Sequence, residues 1–401
     1  MCMPYELQLG ERTLPNLVRR RSAEFGSEPF LLFEDRTISF DEFDRRSDEY
    51  AAGLHEEEFT TGDKLGLYMG NRPEYLSLWI GLAKLGAIEV PIDKALEGET
   101  LTYPIEHAGL EALVTEPEYV DDLRQIAGDL DGLERLYVFD SEEVADPVQG
   151  VEVLDADALE GTGTPPTVDI APQDPFAIMY TSGTTGPPKG AVLPHAFWTY
   201  VGEGVNAATE TTSEDTIFNC FPMNNPTGQV ETTFRGLMAG ASVAHVDRFS
   251  VSRFWDQVER FDATQFVYWG GILSLLLTPD ESPDDADNPI EIAWGGGCSE
   301  VEWEEFEDRF DVEIRECYGT TEFMISNQNQ PDDNRRGSIG KPMDGYEVRV
   351  VDDDDRPLGP NEIGEIVVRP SNPWMMFTGY HDEPDRTWAD MSNLWIHSGD
   401  L

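Results

Sequence analysis

The distribution of apolar positions along the chain points first to strands alternating with helices. Ser39-Phe40-Asp41-Glu42 has the hydroxyl-to-acid spacing of a capping box, and the residues after it put Phe40, Phe43, Tyr50 and Leu54 on one helical face. Residues 64–69 read as a strand. Pro73 suits the first turn of a helix carrying Tyr75, Leu78, Trp79 and Leu82, and Gly86 suits its end. Residues 87–91 form the next apolar run, so the segment is strand–helix–strand and predicts parallel pairing. Short apolar runs recur at 111–115 and 136–139. Residues 145–173 are polar and rich in Gly, Pro and Thr, and are expected to be a surface connection.

A second α/β run covers 174–318. Beyond it the period changes: 346–351 alternates, 352–360 is turn-rich, and 364–368 is apolar again, the pattern of a β-hairpin. The acidic run Asp352–Asp355 has the residue types of a metal site, but a solvated hairpin tip accounts for it more simply. There is no internal repeat. The expected fold class is α/β, with two α/β subdomains of largely parallel sheets at 1–173 and 174–322 and a smaller β-rich subdomain at 323–401. A chain of 401 residues accommodates this at roughly 150 residues per domain.

Charge changes the picture of the surface. The chain has 79 acidic residues against 27 basic ones, a formal net charge of -52, with lysine only at Lys64, Lys84, Lys94, Lys189 and Lys341. Aromatic residues make up 10%, too many for a charge-driven disordered chain. The composition therefore implies a folded protein with a carboxylate-covered, lysine-poor surface, tolerable where concentrated salt screens the repulsion. A halophilic source is expected. The same field disfavours nucleic acid and anionic membranes as partners, and any anionic ligand needs a local positive feature. No apolar run reaches the roughly 20 residues of a membrane span, so there is no sign of membrane insertion. No signal-peptide pattern opens the chain, and the expected location is cytoplasmic. Cys2, Cys220, Cys298 and Cys317 form neither a CxxC pair nor a metal-ligand cluster and read as reduced thiols.

The strongest chemical signal is Tyr180-Thr181-Ser182-Gly183-Thr184-Thr185-Gly186-Pro187-Pro188-Lys189-Gly190, flanked by apolar runs at 176–179 and 191–193. Glycines let the backbone approach a ligand, hydroxyls donate hydrogen bonds, and one lysine supplies a point charge, a combination suited to phosphate oxygens. It is not a P-loop, because Lys189 follows Pro188 and precedes Gly190. The bland alternative is a hydroxyl-rich linker.

This segment resembles the phosphate-binding loop of the adenylate-forming superfamily of acyl-CoA synthetases, peptide-synthetase adenylation domains and firefly-type luciferases. The resemblance continues in order along nearly the whole chain. Ala293-Trp294-Gly295-Gly296-Gly297 resembles the glycine turn beside the adenine, and Tyr318-Gly319-Thr320-Thr321-Glu322 the Tyr-Gly-x-Thr-Glu motif. Gly364-Glu365-Ile366 and Gly379-Tyr380 resemble the next block, and 395–401 the segment ending in the ribose-binding Asp, here Asp400. The resemblance implies the N-terminal domain of an adenylate-forming enzyme. Its site would use Tyr318 against adenine, Asp400 on the ribose and the loop with Lys189 on the β- and γ-phosphates. Thr321 would meet the α-phosphate, and Thr181 and Glu322 would face Mg²⁺. The implied reaction joins a small carboxylic acid to ATP as acyl-AMP and passes the acyl group to coenzyme A. Two other readings remain open: a carrier-protein acceptor, or a nucleotide-binding remnant without catalysis.

The pattern also departs from the family. Phe221-Pro222-Met223-Asn224-Asn225-Pro226-Thr227-Gly228 lies where the acyl pocket is expected, with Asn224, Asn225 and Gly228 as its candidate residues. Asn225 stands in place of the family's histidine and cannot titrate near neutral pH. Arg369-Pro370, Pro373-Trp374-Met375-Met376 and Gly379-Tyr380 resemble the carnitine/crotonobetaine-CoA-ligase-like branch. Family members continue past the position of Leu401 into a small C-terminal domain that supplies a lysine. The isolated chain is therefore expected to bind ATP but to be impaired in overall ligation unless a separate C-terminal domain is added. The acid and the oligomeric state are not fixed by these residues. Stability is expected to depend on salt: melting in multimolar KCl should occur well above melting in dilute buffer, and full stability in dilute buffer would refute the halophilic reading.

Overall fold

The computed structural model describes residues 7–34, 36–143, 148–181 and 187–401. Among them no helix is long and apolar enough to cross a membrane.

The first strand–helix–strand unit forms as its pattern requires. Helix Phe40–Glu56 begins at Ser39, whose hydroxyl accepts the Glu42 amide at 3.2 Å, and Phe40, Phe43, Tyr50 and Leu54 are buried. Only half of the capping box is made. The Glu42 carboxylate accepts from Arg46 Nε at 2.9 Å, one turn further on, instead of returning to the Ser39 amide. Helix Pro73–Leu85 opens on its proline and ends at Gly86, which has φ 73°. The flanking strands Lys64–Tyr68 and Ile88–Pro91 pair in parallel. This helix is buried continuously from Tyr75 to Leu85, as expected of one enclosed on all faces.

Two large sheets and one small one carry the fold. The eight-stranded sheet runs Gly379–Tyr380, Gly190–Pro194, Pro175–Tyr180, Ile88–Pro91, Lys64–Tyr68, Ala112–Thr115, Arg135–Val138, Glu152–Asp155. It is parallel except where Gly190–Pro194 meets its two neighbours. The nine-stranded sheet runs Lys341–Pro342, Asn327–Gln328, Glu313–Tyr318, Ile292–Gly296, Gln265–Trp269, Thr216–Asn219, Ser242–His245, Pro29–Leu32, Thr37–Ser39, and is parallel from Glu313–Tyr318 through Pro29–Leu32. The third sheet is antiparallel and joins Tyr346–Val351, Glu365–Pro370 and Ile396–His397. The α/β class with a smaller β-rich part is therefore the observed one.

Chain order and sheet membership differ. The strands of residues 29–39 join the second large sheet, with Leu31 opposite Val243 and Leu32 opposite Ala244. The run after residue 174 in turn gives its first two strands to the first sheet. An apolar run announces a strand but not its partner. The expected surface connection at 145–173 is also more ordered than its composition suggests. Glu152–Asp155 is an edge strand, Ala156 and Leu159 are buried, and the Gly161 amide donates to Glu49 O at 2.9 Å. Four residues with a half-buried Val153 and Leu154 are too short to register as a period. Residues 145–147 lie outside the described residues.

Aromatic packing joins the layers. Phe176 lies 5.0 Å from Trp198 and 5.9 Å from Trp79, and Trp79 lies 6.4 Å from Phe234, in one core drawing on both large sheets. The acidic tip at 352–355 is a turn: Asp352 Oδ1 accepts the amides of Asp354 and Arg356, both at 2.9 Å. Among the described residues no group of three or more His, Cys, Asp or Glu is placed to hold a metal ion. Cys220 and Cys317 are buried free thiols and Cys298 is half-buried, while Cys2 lies outside the described residues. All the lysines are engaged. Lys84 meets Asp44 and Asp48, Lys94 lies 3.6 Å from Asp247, Lys189 meets Asp390, Lys341 meets Asp333, and Lys64 donates to the Ala108 carbonyl.

Candidate functional site

The motifs gather where the carboxyl ends of the parallel strands meet, the usual place for ligands in open α/β sheets. Thr216–Asn219 leads into the segment at 221–228, Ile292–Gly296 ends in the glycine turn, and Glu313–Tyr318 ends at Tyr318. From the other sheet, Pro175–Tyr180 ends at the hydroxyl-rich loop. Asn71, just beyond strand Lys64–Tyr68, ties the two sets of strand ends together. Its Nδ2 donates to Phe221 O at 2.8 Å and Val246 O at 3.0 Å, and its Oδ1 accepts the Met223 amide at 2.8 Å.

Ser182, Gly183, Thr184, Thr185 and Gly186 lie outside the described residues. The base of their loop is an antiparallel hairpin in which the Thr181 amide donates to Lys189 O at 2.9 Å and the Lys189 amide faces Thr181 Oγ1 at 3.4 Å. The Lys189 ammonium pairs with Asp390, donates to the Tyr380 hydroxyl at 3.4 Å and lies 4.8 Å from the centre of that ring. Tyr380 OH is 2.7 Å from Glu322 Oε1 and 3.0 Å from Asp390 Oδ2. One phenol proton serves only one of these carboxylates at a time. Burial first, then Glu322 and Asp390, push the Tyr380 phenol up, so it keeps that proton. Lys189 and Glu322, far apart in sequence, thus share a single hydroxyl.

The second half of the site is built around Tyr318. Its hydroxyl donates to Asp400 Oδ2 at 2.6 Å. Asp400 is anchored by its own backbone: its carbonyl accepts the Ile366 amide at 3.0 Å and its amide donates to Ser398 Oγ at 3.1 Å. Glu365 braces the same segment, accepting the Gly399 amide at 2.9 Å and meeting His397 Nδ1 at 2.8 Å. Glu316 holds the neighbouring glycine turn by accepting the Cys298 amide at 2.6 Å.

Gly295 and Gly296 are buried and Gly297 is exposed. Close packing accounts for two of the motif glycines without any ligand: a Cβ on Gly295 would stand 1.7 Å from Tyr268 O, and one on Gly319 1.3 Å from Met324 O. Thr320, Thr321 and Glu322 follow on the turn between Tyr318 and the buried Phe323, all three half-buried. The Thr320 hydroxyl is buried with no hydrogen-bond partner.

At the expected acyl segment, Asn225 is exposed and its Oδ1 accepts the Thr227 amide at 2.8 Å, while Asn224 Oδ1 is buried and unpartnered. Gly228 lies in a π-helix, Thr227–Phe234, a rare form that recurs at functional sites. A Cβ there would stand 2.4 Å from Pro222 O. The same π-helix buries Glu231, which accepts Trp269 Nε1 at 2.8 Å and has its other oxygen unpartnered. Burial pushes the Glu231 carboxyl up to about 8, offset in part by Trp269, Arg235 and Thr227.

Sequence reasoning did not single out Asn71, Glu231 or Asp390, and named Tyr380 only as part of a block. A lone acid carries no signal among 79 acidic residues, and Asn71 acts only through the folded contact.

Two large, largely parallel sheets with a small antiparallel one form the fold of the adenylate-forming enzymes. Residues 18–381 match the family described as AMP-binding enzyme, and the chain belongs to that family. It is 30% identical over 339 residues to long-chain fatty acid transport protein 2 of Rattus norvegicus, spanning 82% of this chain and 53% of that protein. It is 28% identical over 387 residues to the crotonobetaine/carnitine–CoA ligase of Salmonella agona, spanning 94% of this chain and 74% of the ligase. Among solved structures, an anthranilate CoA ligase in complex with anthranoyl-AMP is similar with a TM-score of 0.88 at 22% identity, over 99% of this chain and 76% of that one. At that identity the likeness is one of fold.

The raised Glu231 value makes a prediction about stability. Its folded-state pKa of about 8 lies above the ordinary 4.5, so its contribution is complete below pH 4.5 and is lost as pH rises through about 8. Glu231→Gln, which keeps an acceptor for Trp269, should therefore gain stability relative to the parent between those limits, with the difference levelling off above pH 8. Thermal melts of both proteins across this range check it, and a pH-independent difference would show that Glu231 does not titrate there.

Proposed function

We propose that the chain activates a small carboxylic acid with MgATP and that the acyl group then passes to coenzyme A. The observation that carries this reading is the meeting of Lys189 and Glu322 on the Tyr380 hydroxyl, beside a second pair, Tyr318 and Asp400. A cation from the loop base and a carboxylate from the Tyr-Gly-x-Thr-Glu motif thus meet on one hydroxyl. An aromatic ring and an acid suited to ribose hydroxyls stand beside them. That division matches a nucleotide with its triphosphate toward Lys189 and its nucleoside toward Tyr318.

Roles follow from the chemistry of each group. Lys189, with the loop residues Ser182 to Gly186, would bind the β- and γ-phosphates. Thr321 would donate to the α-phosphate, and the buried, unpartnered hydroxyl of the adjacent Thr320 is a donor still to be satisfied. Tyr318 would lie against adenine beside Gly295, Gly296 and Gly297, and Gly319 would keep the turn close. Glu322 and the Thr181 hydroxyl offer hard oxygen atoms that fit Mg²⁺, an ion commonly held by one or two carboxylates plus substrate phosphates. When bound, it would neutralise phosphate charge. Asn224, Asn225 and Gly228 would border the acid.

The substrate carboxylate attacks the α-phosphorus, pyrophosphate leaves, and acyl-AMP remains; a thiol then takes the acyl group and AMP is released. No protein nucleophile is needed. The residues act by bringing two anions together and offsetting their charge. Support for an acyl-adenylate comes from the anthranoyl-AMP bound by the structural neighbour, and support for coenzyme A from the name of the Salmonella relative.

Calorimetric titration tests the site. Lys189→Ala should weaken ATP binding about ten- to hundredfold, the ~1.5–3 kcal/mol of a hydrogen bond to a charged group, with little change for AMP. Asp400→Ala should weaken ATP and AMP alike. Unchanged ATP affinity in both variants would remove the assignment. Acid-dependent ATP–pyrophosphate exchange followed by thioester formation on coenzyme A, in molar KCl, tests the reaction itself. Exchange without a coenzyme A product would point to another acceptor.

A further inference from the structure

The cation assigned to the triphosphate already has a carboxylate partner. Lys189 Nζ pairs with Asp390, the last residue of helix Pro384–Asp390, and both side chains are partly exposed, at 21% and 27%. The helix that presents Asp390 is braced against the loop hairpin. Strand Gly379–Tyr380 pairs with Ala191 and Val192, and the His381 amide donates to Gly190 O at 2.8 Å. Thr387 Oγ1 accepts the Tyr380 amide at 2.8 Å. At the start of the helix, Glu383 lies 3.7 Å from His107 Nε2, while His107 Nδ1 is 2.9 Å from the hydroxyl of Tyr180, the residue just before Thr181. Asp390 is therefore held against Lys189 by an element fastened to the same hairpin, and the pair is not a chance meeting of two long surface side chains.

Resting on the nucleotide-site reading above, we propose that Asp390 is a positioning residue that parks the Lys189 ammonium while no nucleotide is bound, and that the triphosphate of ATP must take this ammonium from the Asp390 carboxylate. Carboxylate and phosphate oxygens compete for the same donor, and in so acidic a chain the carboxylate is always at hand. The consequence is selective. Asp390 lowers affinity for a ligand carrying β- and γ-phosphates and leaves affinity for AMP alone.

The test is a double-mutant cycle read by calorimetric titration of ATP and of AMP at one fixed KCl concentration, on the parent chain, Asp390→Asn, Lys189→Ala and the double variant. Asp390→Asn should tighten ATP about two- to fivefold, the range of a partly exposed ion pair, and leave AMP unchanged. In the Lys189→Ala background the same substitution should tighten ATP distinctly less. Asp390→Glu should restore parental affinity, and Asp390→Ala serves in place of the asparagine variant if that one melts abnormally. Unchanged or weaker ATP binding by Asp390→Asn would overturn the proposal. So would equal tightening with and without Lys189, because loss of a negative charge would then explain it without any competition. Failure of the parent chain to bind ATP at all would overturn the nucleotide-site reading, and this inference with it.

Discussion

A single ammonium group, that of Lys189, stands where the loop hairpin of one sheet meets two carboxylates from later in the chain, Glu322 and Asp390. Tyr380 makes the meeting possible. Its ring passes under the ammonium, its hydroxyl reaches Glu322, and its backbone strand extends the sheet that carries Lys189. Burial keeps the phenol protonated, so Tyr380 adds no further negative charge to a crowded place. The small strand Gly379–Tyr380 therefore does for the site what a longer element does for the core: it fixes distances between groups that repel or attract strongly.

The need for such fixing follows from the charge of the molecule. With 79 acidic residues, an unconstrained lysine has many carboxylates to choose from, and the described structure shows four of the five lysines beside one or more. A partly exposed pair such as Lys189–Asp390 contributes little, about 0–1 kcal/mol. Its effect here is on geometry rather than stability. With Tyr380, the pair fixes where the ammonium stands relative to Glu322.

Much of the architecture could be read from pattern because local rules and tertiary packing agree there. Pro73, the helix face through Leu82, and Gly86 are each favoured locally and each used in the fold. The same holds for the hairpin strands Tyr346–Val351 and Glu365–Pro370. What could not be read is what depends on partners. Leu31 and Leu32 look like any short strand until they pair with Val243 and Ala244. Val153 and Leu154 are too few to show a period. In the candidate site, residues in contiguous motifs stood out, whereas Asn71, Glu231 and Asp390 act singly and belong to residue types common in this chain. Tyr380 falls between the two groups: a recognisable block marked its position, but only the folded structure shows that it bridges Lys189 and Glu322.

The π-helix Thr227–Phe234, which begins within the expected acyl segment, shows the same dependence on partners in a buried setting. Its polar side chains are buried: Gln229 donates to Met223 O at 2.8 Å and lies 3.2 Å from Glu89 Oε2, and Glu231 accepts from Trp269. Arg235, fully buried on the next turn, donates to Thr211 at 2.8 Å and Gln265 at 2.9 Å. A ladder of this kind is costly to bury and favours one arrangement strongly when it is satisfied. Among its members Glu231 and Gln229 each keep one oxygen without a partner. Arg235 Nη2 is unpartnered as well, so the network is incomplete on the side of the core strands as on that of the expected acyl segment.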